Sequence, residues 1–381
     1  MTGGGGPRRD IGVAVVGCGT IGRIRATLAR GYPGVGWLGL CDRDERVGRR
    51  LVADTGADLF TTDAAELVSR PEVDAVVVAT DENEHERPII SAARAGRALF
   101  VEKPLATTAE GSQRVLDEIA AAGVDAVTGY TQRFRRRFLA ARSRLQAGAV
   151  GEVTTVVARA FMNRMVPLAT LRRTRQRAGL TPMVVSGTHA VDLCLWLMEG
   201  KTPASVYARS VDRVLGPHGT QDATAAVITM TDGTVWSMTI SWALPTVWPG
   251  SVYGLEIGIV GTTGVIDIED THRDVVLASE APQPAGYRPD GFDPGAARHV
   301  DFLTSYPPGD LWAGTLWGPM REETTSWLAR LITGSPTPHA TAADGHRNLL
   351  LSMAIDLSAA RGAEIAWPVE PARLDRTPAT R

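Results

Sequence analysis

Val13-Ala-Val-Val16-Gly17-Cys-Gly19-Thr20-Ile21-Gly22 joins an apolar run to a Gly-x-Gly-x-x-Gly turn that opens a helix-like segment. The first glycine lets the chain turn, and the second admits a pyrophosphate close to the backbone. The third allows the helix to pack tightly on the strand, while the helix's first amides attract phosphate charge. Gly17, Gly19, Thr20, Ile21 and Gly22 are therefore read as the cradle of a dinucleotide.

Glycines at this spacing occur in many loops, so the context decides. A second apolar strand, Trp37 to Cys41, ends in Asp42 about 20 residues past the motif, where a carboxylate can bond the adenosine ribose hydroxyls. Asp42 favours NAD over NADP. Arg43, next to it, could stack on adenine or hold a 2′-phosphate.

Working outward, 381 residues exceed what one core usually supports, so two domains are expected. A hydrophobic content of 44% with 22% charged residues is ordinary for a globular chain, and a formal net charge of −2 gives no electrostatic case for nucleic acid or an anionic membrane. Cys18, Cys41 and Cys194 are widely spaced and fit a reducing compartment. No apolar run approaches the length of a spanning helix and no export signal is read at the start, which points to a cytoplasmic protein. The seven histidines are scattered without metal spacing.

From residue 10 to 129, apolar strands at Val13–Val16, Trp37–Cys41, Ala75–Ala79, Leu99–Val101 and Ala126–Thr128 alternate with helical stretches, the pattern of a doubly wound parallel sheet. From 130 to 368 the texture changes to short β-branched segments parted by turns such as Thr231-Asp-Gly233 and Gly261-Thr-Thr-Gly264, which predicts an α+β domain with a large antiparallel sheet. Helices are predicted near Ser186–Leu197, Met320–Leu331 and Ala343–Ala359. Residues 1–9 and 369–381 are expected to be a disordered start and a flexible tail.

Two stretches could carry chemistry. Glu102-Lys103-Pro104 follows the strand Leu99–Val101 at the carboxyl edge of the sheet, where doubly wound folds place ligands, and the proline biases Lys103 towards extended backbone. In isolation such a tripeptide is a surface turn. In Ser186-Gly-Thr-His189-Ala-Val-Asp192, His189 and Asp192 share one helix face, and a histidine can exchange a proton near neutral pH. A capped structural histidine would read the same way.

Taken together with Ala79-Thr80, His85, Gly129-Tyr130-Thr-Gln-Arg-Phe134 and Ala95 to Leu105, these motifs resemble the Gfo/Idh/MocA oxidoreductases, from about residue 10 to 368. The resemblance implies an N-terminal Rossmann domain and a C-terminal domain whose open sheet makes a homodimer or homotetramer. It further implies reversible oxidation of a sugar, inositol or related polyol hydroxyl by a nicotinamide cofactor. Lys103 and His189 would be the catalytic pair, Asp192 would touch substrate, and Thr80, His85, Glu102 and Lys103 would lie beside the cofactor. Arg164 and Tyr130 are further substrate candidates, Arg164 because it leads an arginine-rich stretch reaching Arg177.

Two departures stand out. Many members of that family carry an aspartate four residues before the histidine, where this chain has Val185, and Thr80-Asp81-Glu82 replaces a common Thr-Pro-Asn. Two other functions on the same scaffold therefore stay open: glycoside cleavage through transient oxidation and elimination, and dinucleotide binding without turnover.

Overall fold

The computed structural model describes residues 10–173, 179–250, 252–269, 275–283, 298–303 and 308–376. In its first part the strands are Ile11–Val16 (β1), Val35–Cys41 (β2), Leu59–Thr61 (β3), Ala75–Val78 (β4), Ala98–Glu102 (β5) and Ala126–Gly129 (β6). They lie in the order β6-β5-β4-β1-β2-β3, mutually parallel, with Ala340–Thr341 added antiparallel on β6. Strand order reverses at β1, the switch point at which such sheets seat ligands. Both faces are covered, by a layer including Ile89 and Val115 on one side and by one including Leu51 and Trp327 on the other. This is why the strands read as unbroken apolar runs rather than alternating ones.

Local chemistry sets the helix ends. Asp44 caps the helix Glu45–Thr55 by accepting from the Arg46 and Val47 amides, Asp63 caps Ala64–Ser69, and Thr108 caps Ala109–Ala122. The short strand β3, three half-buried residues, has no apolar run of its own and was not expected.

The chain divides into two units. One holds the residues up to Phe134 together with Leu311–His346; the other holds Arg135–Asp310 with Arg347–Arg381. The break after Phe134 lies close to the expected boundary at 129, while Leu311–His346, expected inside one continuous second domain to 368, groups with the first unit. The helix Pro319–Thr333 returns to the first unit because its Trp327 packs edge-on against Phe100 of β5, ring centroids 5.4 Å apart, and its Glu323 pairs with Arg25 at 2.6 Å. The expected flexible tail is also corrected. Residues Pro371–Asp375 form a short helix that buries Leu374, while 377–381 and the expected disordered start, 1–9, lie outside the described residues.

In the second unit, Val153–Asn163 (β7), Pro203–Val211 (β8), Ala223–Met230 (β9), Val235–Leu244 (β10), Val252–Gly261 (β11) and Val265–Ile268 (β12) form a sheet in the order β12-β11-β7-β10-β9-β8, closed at one edge by Ile365–Ala366. Every pairing is antiparallel except β7 with β10, which run parallel. Along β10, Trp236, Met238, Ile240 and Trp242 point into the core while Ser237, Thr239 and Ser241 stay half-buried on the other face. That period of two is the signature of a sheet covered on one side only. Among the described residues no helix is long and apolar enough to cross a membrane, and no cluster of His, Cys, Asp or Glu could hold a metal ion.

His339 shows how dry the first unit's interior is. It is 6% exposed, tilted against the Phe134 ring, and hydrogen-bonded to Thr337 Oγ1 at 2.7 Å and to the Glu323 carbonyl at 3.0 Å. Burial pushes the imidazole down to about 3, helped by the charges of Arg25, Arg330 and Arg133 and against the hydrogen bond to the Glu323 carbonyl. Between its ordinary 6.5 and that value the unfolded chain takes up a proton that the folded chain refuses, so stability falls on acidification. Urea unfolding at pH 7 and pH 5 should show wild type losing about 2 kcal/mol more than His339→Gln. Equal losses would contradict the assignment.

Candidate active site

The glycine turn is a tight steric fit. Gly17 has φ +97, and a Cβ there would lie 2.4 Å from the Ala79 carbonyl oxygen; a Cβ on Gly22 would lie 1.8 Å from that of Gly17. Only glycine allows β1, the end of β4 and the helix Thr20–Arg30 to approach this closely. A Cβ on Gly19 would meet nothing within 4 Å, and Gly19 caps the helix without a side-chain hydrogen bond. The space beside Gly19, at the start of the helix Thr20–Arg30, is thus open, as an anion at a helix N-terminus requires.

Asp42, at the tip of β2, is held beside this turn. Its Oδ2 accepts from the Cys18 amide at 2.7 Å and its Oδ1 from the Asp44 amide at 2.8 Å. A carboxylate fixed by two amides keeps its remaining lone pairs for hydroxyl donors. Arg43 is exposed and reaches Asp81 at 3.2 Å, so a 2′-phosphate would have to compete with a carboxylate already present. Thr80 closes the same edge: its Oγ1 is buried with no hydrogen-bond partner among the described residues. A buried hydroxyl left in that state costs free energy unless a ligand supplies the partner. Glycine cradle, anchored carboxylate and orphaned hydroxyl together fit a dinucleotide.

At the end of β5, Lys103 is half-buried and its peptide bond to the buried Pro104 is cis. Its neighbours on both sides are tied down. Glu102 accepts from Arg25 Nε at 2.9 Å, and the Pro104 carbonyl bonds His85 Nδ1 at 2.8 Å. His85, expected beside the cofactor, is 1% exposed and also reaches the Thr80 carbonyl at 3.2 Å, so it clasps two loops rather than facing an open cleft. Tyr130, which follows β6, is likewise enclosed at 1% exposure.

In the second unit a π-helical turn, Pro182–Gly187, runs directly into the helix Thr188–Leu197. Thr181 caps the turn by accepting from the Val184 amide and donates to Asp356 Oδ2 at 2.5 Å. A Cβ on Gly187 would lie 2.7 Å from Met183 Sδ, so a larger residue there would require the methionine side chain to shift. His189, the second residue of the helix, is half-buried. Asp192 is 1% exposed and accepts from Asn348 Nδ2 at 2.8 Å. Val185 packs with Leu171, Leu180, Leu215 and Trp242, an apolar cluster that leaves no polar group at this position beside the histidine. Arg164, at the end of β7, is half-buried, with its Nε pointing at the Leu244 carbonyl at 3.4 Å. Residues 174–178, including Arg175 and Arg177, lie outside the described residues.

Three further groups were missed: Arg25, Glu323 and Asn348. Arg25 had a legible signal, since it falls on the stripe Gly22, Ala26, Ala29 that faces the sheet. Glu323 and Asn348 had none, because their partners are remote in the chain.

Comparison with known proteins agrees with this geometry. Residues 11–130 match the model of an oxidoreductase family with an NAD-binding Rossmann fold, and residues 138–267 match a GFO/IDH/MocA C-terminal domain. The chain is 26% identical over 223 residues to an inositol 2-dehydrogenase of Rhizobium meliloti, covering 58% of this chain and 65% of that protein. It is 25% identical over 348 residues to a myo-inositol 2-dehydrogenase of Thermotoga maritima, covering 90% and 94%. In fold it resembles GenD2 from gentamicin A biosynthesis, solved with NAD, at a TM-score of 0.77 with 23% identity over 97% of this chain and 99% of that one.

Asp42→Ala is expected to weaken NAD binding about tenfold and narrow the preference over NADP, and Thr80→Val to weaken NAD binding without lowering thermal stability, since the hydroxyl has nothing to lose in the free protein. Calorimetric titration with both cofactors checks each. Unchanged affinities would remove these residues from the cofactor site.

Proposed function

We propose that the chain, which belongs to the Gfo/Idh/MocA oxidoreductase family, is an NAD-dependent dehydrogenase that moves hydride between the cofactor and a hydroxyl-bearing carbon of an inositol, sugar or related polyol. The observation that carries this reading is the clustering of the glycine cradle, Asp42, the orphaned Thr80 hydroxyl and Lys103 at the carboxyl ends of neighbouring strands. The inositol dehydrogenases among its relatives support the substrate class.

When bound, NAD would supply the hydride acceptor, and Gly17–Gly22 would hold its pyrophosphate and Asp42 its ribose. The Lys103 ammonium stabilises negative charge as it develops on the substrate oxygen, and His189 takes the hydroxyl proton. Asp192, oriented by Asn348, and Arg164 are assigned to substrate. With Val185 in an apolar cluster, His189 works without a carboxylate one turn before it. Tyr130 supports the end of β6 from inside.

The open face of the second unit's sheet is assigned to a second copy of the chain. Val157, Ser237, Val227 and Tyr207 are register partners in one row across β7, β10, β9 and β8, and Val157, Val227 and Tyr207 are 56%, 43% and 41% exposed. Exposed apolar side chains in one row, broken only by Ser237, are characteristic of a subunit contact. The buried thiols of Cys18 and Cys41, which burial and Asp42 push up to about 12, are inert and suit a reducing cytoplasm.

Incubation with NAD and a panel of inositols and sugars is expected to accumulate NADH, and Lys103→Met to lower turnover about 100-fold with NAD affinity retained. Full activity in that variant would remove the lysine from the chemistry. Val227→Lys is expected to shift the light-scattering mass towards a single chain; an unchanged mass would place the contact elsewhere.

A further inference from the structure

Arg25 lies in the helix that opens the dinucleotide cradle, yet its side chain is 0% exposed. Every arm of the guanidinium is engaged. Nε donates to Glu102 Oε1 at 2.9 Å, one terminal nitrogen reaches Glu102 at 2.8 Å and Glu323 Oε2 at 2.6 Å, and the other donates to Thr324 Oγ1 at 2.6 Å and the Met320 carbonyl at 3.3 Å. The guanidinium carbon also sits 4.3 Å from the Phe100 ring centroid. Thr131 Oγ1 donates to Glu323 Oε2 at 2.7 Å, whereas Glu323 Oε1 is buried with no hydrogen-bond partner among the described residues. Two carboxylates thus share one buried cation.

Apolar residues would join a helix to a sheet at lower cost, since desolvating ions is expensive even when they are paired. What the arginine adds is position: two of its nitrogens, Nε and one terminal nitrogen, converge on the single oxygen Glu102 Oε1 and pin where that end of the side chain lies. The carboxylate gripped here belongs to Glu102, the residue immediately before Lys103.

We propose that Arg25 and Glu323 are positioning residues for Lys103, aiming the Glu102-Lys103-Pro104 turn through the Glu102 carboxylate. The inference rests on the reading of Lys103 as the cation of the hydride-transfer site. Glu102 is held from one side by Arg25 and Pro104 from the other by His85, so the lysine between them has a fixed base. Glu323 sets how firmly Arg25 is held. The charged groups around it are Arg25 and Glu102, with His339 on its backbone carbonyl and Arg133 and Arg330 acting on His339. Burial pushes the Glu323 carboxyl up to about 7, against the pull of Arg25 and with the push of Glu102. Below that pH the protonated acid leaves Arg25 to Glu102 alone, and above it the two carboxylates compete.

Only two lysines, Lys103 and Lys201, stand among the 40 lysine and arginine residues, which makes a direct test practical. Reductive dimethylation of the full chain with 13C-formaldehyde gives one methyl signal from each, assigned with Lys201→Arg and distinguished from the amino terminus by shift. The Lys103 signal is expected to step with a midpoint at about pH 7 and to lose that step in Glu323→Gln, while Lys201 shows no such change. In unmodified protein, Glu323→Gln and Arg25→Lys are expected to lower kcat about 10- to 100-fold with NAD affinity within about twofold of wild type. Arg25→Lys keeps the charge but loses the fork. If Arg25→Lys fails to fold, Glu323→Gln, which is nearly isosteric, carries the test. A flat Lys103 signal in wild type, or a step that persists in Glu323→Gln, overturns the proposal. A step that disappears in Glu323→Gln while no polyol reduces NAD supports the positioning and sinks the dehydrogenase reading instead.

Discussion

The contact on which the first unit depends is backbone against backbone, where Gly22 meets the Gly17 carbonyl and Gly17 meets Ala79. No side chain fits between them. That closeness brings the helix Thr20–Arg30 down onto β1 and β4 and turns its first amides towards the carboxyl edge of the sheet. The same edge carries Asp42, Thr80 and Lys103 because parallel strands all end on one side. A dinucleotide site follows from the packing of glycines and from strand direction, before any polar side chain is considered.

Polar residues then refine what packing has placed. Asp42 is set by two amides, and His85 joins the loop after β4 to the turn after β5. The buried cation of Arg25 binds the strand-end Glu102 and the remote helix Pro319–Thr333 at once. This explains why the first unit is discontinuous in sequence: residues almost 300 positions apart share one ion cluster. In the second unit the equivalent economy is Asn348, from the last long helix, holding Asp192 of the His189 helix.

How much of this was readable from residues alone differs by the kind of force involved. Glycine spacing, the Asp42 position and the apolar runs are local signals, and they gave the parallel sheet correctly. The succession of short β-branched segments without intervening helices likewise announced an antiparallel sheet. Long-range effects were opaque. The parallel pairing of β7 with β10 has no local sign, and nothing in Pro319–Thr333 says that it belongs with a sheet whose parallel strands all precede residue 130. Arg25 was hidden by its own chemistry, because arginine is ordinarily a surface residue and only its place on the helix stripe betrays burial. The helix Pro371–Asp375 was hidden by a proline-rich setting, although proline is well suited to a helix's first position.

Val185, four residues before His189, packs among Leu171, Leu180, Leu215 and Trp242. With apolar neighbours around it, this position offers no carboxylate, and on the proposed assignment proton transfer at His189 would proceed without one there. Hydride transfer remains the central claim, and isotopic labelling reads it directly. With NAD and C-deuterated inositols and sugars, mass spectrometry of the reduced cofactor is expected to show one deuterium at the nicotinamide, with turnover slower than for the unlabelled compounds. A cofactor left oxidised by every member of the panel, or reduced without deuterium, would contradict it.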